Sequence, residues 1–159
     1  MKKGFTMIEL IFVIVILGVL ASVAIPRLAA TRDDAEVAKA ATNLTTAVSD
    51  ITAYYTAKGN FSGVTNDFTK ITNALTKDGK LKVKGKTECV SVTLPTNTTG
   101  QGQSATVNLT LTFSPNNDAV CKQLTKLPGV LAMCGESDKS ELANTTCSIQ
   151  IGGSGGIQF

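Results

Sequence analysis

From Phe5 to Ile25 the only polar side chains are Thr6, Glu9 and Ser22. At the rise of an α-helix such a run covers roughly 30 Å, the thickness of a bilayer's hydrocarbon core. A chain that begins this way is committed to a membrane or to an equally apolar packing partner. Lys2 and Lys3 precede the run, and basic residues tend to stay on the cytoplasmic side, which puts everything after Pro26 outside the cytoplasm; Arg27 and Arg32 weaken that asymmetry. Glu9 is the informative residue, because a carboxylate inside a bilayer helix is costly unless it finds a partner or a proton. Cutting the chain between Gly4 and Phe5 would create an α-amino group at Phe5, cationic at neutral pH. That amine, on a neighbouring chain, is a counter-charge for Glu9, and misaligned neighbours would leave both charges in lipid, so the pair would set register.

The stretch Lys2-Lys3-Gly4-Phe5-Thr6-Met7-Ile8-Glu9-Leu10, with the apolar run behind it, resembles the N-terminal signal of type IV pilins and type II secretion pseudopilins. The resemblance implies removal of residues 1–4 as a leader by a prepilin peptidase, which then methylates the new N-terminus, Phe5. It implies an assembly role for Glu9, and places Gly18 and Pro26 where helices of this family bend or loosen. The same resemblance implies a structural subunit rather than an enzyme, with no cofactor. Its partners would be the peptidase, an inner-membrane assembly platform, further copies of itself and related pilins. It would sit first as a single-pass inner-membrane protein with a periplasmic domain, then in a filament. A pilus subunit is the first reading and a secretion pseudopilin the second. An ordinary secretory signal cut after Ala24, at Ser22-Val23-Ala24, is the alternative of another class and would release a soluble binding protein. A plain single-span anchor explains the hydrophobicity but gives Glu9 no role.

Beyond Pro26 apolar residues recur at Val37, Ala41, Leu44, Val48, Ile51 and Tyr55, in alternating steps of four and three. They form one stripe of a helix that begins near Phe5 and stops near Lys58, at Gly59-Asn60. Gly59-Asn60-Phe61-Ser62 resembles the Gly-x-Tyr-Pro turn that follows this helix in pseudopilins, with Phe and Ser replacing Tyr and Pro. Further on, Thr65–Leu75 reads as a short helix with Phe68, Ile71 and Leu75 on one face. Glu88–Leu94 and Ala105–Phe113 read as half-buried strands joined by a Gly- and Thr-rich loop, Asn117–Leu127 as a helix, Thr146–Ile151 as a last strand, and Gly152–Gly156 as a flexible end. The expected fold is α+β, one long helix laid on a small antiparallel sheet, which is also the architecture the resemblance implies. Residues 1–4, 5–26, 27–58 and 59–159 are the expected leader, membrane or filament-core helix, amphipathic helix and distal domain.

Four cysteines, Cys89, Cys121, Cys134 and Cys147, lie in the distal domain without the close pairing that zinc requires. An even number behind a membrane-crossing segment fits two disulfides in an oxidising compartment, in any of three pairings. Lys80, Lys82, Lys84 and Lys86 alternate with small or apolar residues, so in a strand all four ammonium groups share a face. A guarded sheet edge explains this run; a patch for DNA or anionic surfaces is the functional alternative, and lacks aromatic residues for base stacking. The net charge of +3 loses both leader lysines on cleavage, so bulk affinity for nucleic acid is not expected. With no histidine in the chain, Gly152-x-Ser154-x-Gly156 cannot be the nucleophile turn of a Ser-His relay. Gly85-Lys86-Thr87 lacks the first glycine of a phosphate loop, and Asp67, Asp78, Glu88 and Asp118 do not have calcium-loop spacing. The Asn-x-Ser/Thr triplets at Asn43, Asn60, Asn97, Asn108 and Asn144 are what a Thr-rich chain generates freely.

Overall fold

A computed structural model describes residues 3–95, 106–115 and 118–153. Lys2, residues 96–105 with Asn97 and Ala105, Asn117 and the residues from Ser154 onward lie outside the described residues. A helix α1 (Met7–Lys58) is followed by a 3-10 turn (Phe68–Lys70), strands β1 (Lys80–Val83), β2 (Thr87–Thr93) and β3 (Val107–Phe113), short helices α2 (Ala119–Leu124) and α3 (Pro128–Met133), and strand β4 (Thr146–Gly152). The four strands form one antiparallel sheet in sequential order. The fold is α+β and pilin-like in architecture. Residues are organised in two compact units, Met1–Ala35 and Glu36–Phe159.

Within the second unit α1 lies on the sheet through Val37, Ala40, Leu44, Ala47 and Ile51, all buried. Val37, Leu44 and Ile51 are the expected stripe residues. Ala41, Val48 and Tyr55 only flank it, and two alanines take the centre instead. Scanning for hydrophobicity favours Val48 over Ala47, but close approach of a helix to a sheet favours the smaller side chain at the point of contact. On other faces of α1, the hydroxyls of Thr42, Thr45, Thr52 and Thr56 each donate to the carbonyl one turn back. The helix stops where Gly59 enters left-handed space at φ 72° and donates to Tyr55 O. The turn that follows drives Phe61, fully buried, into stacking contact with Tyr54 and Tyr55.

Four local expectations need correction. Thr65–Leu75 is not a helix. The Asp67 carboxylate accepts from the Thr69 amide and hydroxyl, Thr72 Oγ1 accepts from the Ala74 amide, and Phe68 N–H donates to Lys77 O, so local polar side chains outcompete all but one 3-10 turn. The helix expected to reach Leu127 is shorter: α2 carries Cys121 and ends at Leu124, and Pro128 holds Leu127 in extended backbone, at ψ 130°, and starts a second helix. The four lysines do not share a strand face. Lys80 and Lys82 lie in β1, while Lys84 (φ 50°) and Gly85 (φ 75°) make the hairpin turn, where two positive φ values suit the right-handed twist of the strands. Finally, Gly152 is the last residue of β4 rather than the start of a loose tail, and a Cβ there would collide with the Tyr55 ring.

The sheet has two register shifts, one in the β3–β4 pair, where Val107 faces Gly152 and Asn108 faces Gln150 so that Ile151 is extra, and one in the β1–β2 pair. Between Leu81 and Lys82 the partner on β2 jumps from Val90 to Glu88, leaving Cys89 as the extra residue of a bulge. The bulge turns Cys89 and Val90 inward together, and Cys89 bonds to Cys121 of α2. The second disulfide joins Cys134, at the end of α3, to Cys147 of β4. These bonds differ in setting: Cys89 and Cys121 are in the core, whereas Cys134 and Cys147 are half-buried. The loop inside the second bond is pinned by Glu136, which accepts from the Ala143 amide at 2.8 Å and from Lys139 at 3.1 Å. Those bonds, the backbone one foremost, hold the Glu136 carboxyl below its ordinary range.

Two outcomes are expected. Gly79 and Gly85 both have positive φ, but a Cβ on Gly79 would meet the Phe68 ring at 2.5 Å and Val92 O at 2.8 Å, while one on Gly85 meets nothing. Gly79→Ala should therefore cost about 2–4 kcal/mol and Gly85→Ala about 1 kcal/mol, read as a fall in denaturation midpoint at unchanged m. Under mild thiol reductant without denaturant, mass spectrometry of alkylated protein should show Cys134 and Cys147 labelled well before Cys89 and Cys121. Equal labelling rates would contradict the difference in burial.

Candidate functional site

The first described residues, Lys3 to Thr6, are not helical, and α1 begins at Met7. Thr6 and Glu9 start it reciprocally. The Glu9 Oε2 atom accepts from the Thr6 amide at 2.9 Å and from the Thr6 hydroxyl at 2.9 Å, while Thr6 Oγ1 accepts from the Glu9 amide at 3.3 Å. A Thr-x-x-Glu box of this kind satisfies amides that the first helical turn leaves without partners, and the negative charge suits the positive end of the helix dipole. Glu9 thus has a partner within its own chain, one that its placement in an apolar run did not suggest. The Thr6-Glu9 spacing was the available signal. Among the described residues Oε1 accepts no hydrogen bond, and Lys3, Gly4, Phe5, Thr6 and Glu9 line one open hollow.

Phe5 is 91% exposed, and every large apolar residue from Met7 to Leu28 is exposed as well. That segment is long and apolar enough to cross a membrane. A Cβ on Gly4 or on Gly18 would meet no atom within 4 Å, so neither glycine is demanded by contacts inside the chain. Pro26 lies within α1, where it removes one backbone donor and leaves the Ser22 carbonyl without its usual partner. The Ser22 hydroxyl donates to Val19 O and so does not replace it.

The other candidate groups fall elsewhere. Lys80 Nζ lies 2.8 Å and Lys82 Nζ 3.8 Å from the carboxylate of Glu88, and Lys84 Nζ lies 3.6 Å from that of Asp118, the N-cap of α2. The Lys80 hydrogen bond, with the Lys80 and Lys82 charges behind it, keeps Glu88 ionised below the usual carboxylate range, and Glu88 in turn raises Lys80. Three of the four lysines are thus bound to acids of the same domain, an arrangement that welds a hairpin more than it offers a bare cationic patch. Among the described residues no group of three or more His, Cys, Asp or Glu side chains is set to hold a metal ion.

In comparison with known proteins, residues 1–25 fit the family model described as the prokaryotic N-terminal methylation motif. No curated protein and no solved structure matches the chain. The first 25 residues thus carry the N-terminal methylation signal that type IV pilins and pseudopilins share.

Proposed function

We propose that this chain is a structural subunit of a type IV pilus, cut between Gly4 and Phe5, methylated on Phe5, and polymerised through the apolar part of α1. The observation that carries the reading is the fully exposed apolar segment with a carboxylate fixed at its start. In water that surface is untenable; in a bilayer it is an anchor, and in a bundle of identical helices it is a core. The cleavage site is supported by backbone state. Gly4 and Phe5 lie in the non-helical lead-in, where a protease acting on extended chain can reach them, whereas Ser22-Val23-Ala24 lies inside unbroken helix. With no contact inside the chain requiring it, Gly4 is best explained by an outside reader, the prepilin peptidase.

After the cut, the Phe5 amine of one subunit would meet the Glu9 carboxylate of the next, whose Oε1 remains for it. Thr6 then holds the acid in place while the neighbour supplies the charge. In this reading residues 5–26 are the anchor and later the filament core. Residues 27–58 lead into a distal domain, 59–159, displayed in the periplasm and then on the filament. Gly18 and Pro26 loosen the helix, and an inner-membrane platform drives assembly. A secretion pseudopilin is the alternative; at Gly59-Asn60-Phe61-Ser62 the chain departs from the Gly-x-Tyr-Pro turn of that group, which favours the pilus reading. Long surface filaments and a short periplasmic piston are told apart by electron microscopy of cells that produce the protein.

N-terminal sequencing of assembled material should begin at methylated Phe5. Replacing Gly4 with a bulky residue should leave uncut precursor in the membrane, and normal filaments from that variant, or a start at Ile25, would overturn the site. At Glu9 the capping and charge roles separate, because glutamine at this position can still accept from Thr6. Glu9→Gln and Glu9→Val should both be inserted and cut, and both should assemble at least about tenfold less, since each loses the counter-charge. Near-normal assembly of Glu9→Gln with failure of Glu9→Val would leave capping as the whole role of the acid.

A further inference from the structure

The two edges of the sheet are treated differently. On β1, Lys80 N–H donates to Thr76 Oγ1 at 3.1 Å and Thr76 N–H donates to Lys80 O at 2.9 Å. The next outward amide beyond the strand, that of Lys84, donates to Glu36 at 3.4 Å. With a bulge, four residues and two lysines, this edge is closed in the ways natural sheets close edges. β4 has a bulge only at its end, where Val107 pairs with Gly152 and Asn108 with Gln150 so that Ile151 is extra, and it has no lysine. It runs for seven residues, and the sequence carries no charge and no proline from Leu142 to Gly153.

The register says which groups β4 leaves free. Phe113 N–H donates to Thr145 O, so Thr145, Cys147 and Ile149 turn their backbone groups toward β3. Thr146, Ser148 and Gln150 therefore point theirs away, and among the described residues those groups make no hydrogen bond. Their side chains are exposed, while Cys147 and Ile149 on the opposite face are half-buried at the margin of the core.

We propose that this edge is an interaction surface for a second copy of the chain, with two β4 strands pairing antiparallel about Ser148. The strand is self-complementary in that arrangement. Thr146 falls opposite Gln150 of the other copy and Ser148 opposite its counterpart, so each outward N–H meets an outward C=O. Cys147 meets Ile149 on the apolar face, and no charge opposes another. A short strand pair buries little surface and holds weakly alone, but its strength multiplies when many copies are arrayed. Subunits along one polymer are related by a screw operation, so this two-fold contact joins chains of separate polymers or chains not yet polymerised. It does not rest on the filament reading.

Cysteine cross-linking of the full-length chain in the membranes of cells producing it tests the register. Ser148 is exposed and uses none of its backbone groups to hold β3, so Ser148→Cys should preserve the fold. Two-fold pairing sets the two positions 148 about 5.5 Å apart between Cα atoms, within disulfide reach. The two positions 146 are instead about 13 Å apart. Mild oxidation should give a dimer from Ser148→Cys at roughly tenfold the yield from Thr146→Cys or Gln150→Cys alone, while co-produced Thr146→Cys and Gln150→Cys chains cross-link to each other. The proposal is overturned if Ser148→Cys stays monomeric, as it would where the edge is taken up within the chain. It is equally overturned by similar yields at all three positions, or by an adduct of Ser148→Cys to a polypeptide of different mass.

Discussion

One hydrogen-bonded helix has to serve two surroundings, and the rest of the molecule follows from how the sequence manages that. Over its first turns α1 is apolar on every side; from Val37 onward it is apolar on one stripe only. The first pattern has no solution within a single small chain, since burying a helix all round takes a membrane or a ring of other helices. The second has an internal solution, a small sheet of four strands. Alanine at the two central contacts lets that sheet close on the helix, and the rings of Tyr54, Tyr55 and Phe61 fill the end of the layer between them.

Charge is handled with the same economy. Glu9 is set at the one place in an apolar helix where a carboxylate is locally useful, its first turn, with an oxygen to spare. In the distal domain the lysines of the β1 hairpin are bound to Glu88 and Asp118, so a run that reads as strongly basic ties strand to strand and turn to helix. Among the described residues the β1 edge of the sheet finds backbone partners, whereas the outward groups of Thr146, Ser148 and Gln150 on β4 make no hydrogen bond.

Features set by periodicity or by a fixed local motif were legible in the sequence. The long helix, its end at Gly59, the core of β2 and β3 and the position of β4 all follow from spacing and punctuation. The signal at residues 1–25 follows from a motif whose spacing is rigid. What escaped depends on competition that spacing does not reveal. The threonine and aspartate side chains around Phe68 win hydrogen bonds that a helix would need, and Leu127 is excluded from helix by the proline after it. Bulging at Cys89 is invisible in a pattern that alternates on either side of it, and so is the pairing of the lysines with acids. Gly152 belongs by composition to a glycine run, and only the Tyr55 ring packed against it shows why it has no side chain. The capping role of Glu9 is legible in the spacing from Thr6, although the cost of a charge in lipid points first to a partner outside the chain.

The placement of the two disulfides has a consequence for how the chain matures. Cys89 and Cys121 are sealed between sheet and helix once the domain has closed. An oxidant must therefore act while the domain is still open, and a wrong partner chosen then is locked away from later exchange. Cys134 and Cys147 stay within reach throughout, so their bond can be made last and remade if broken. The timetable is written into burial: one link is fixed at birth, and the other is open to repair for the life of the protein.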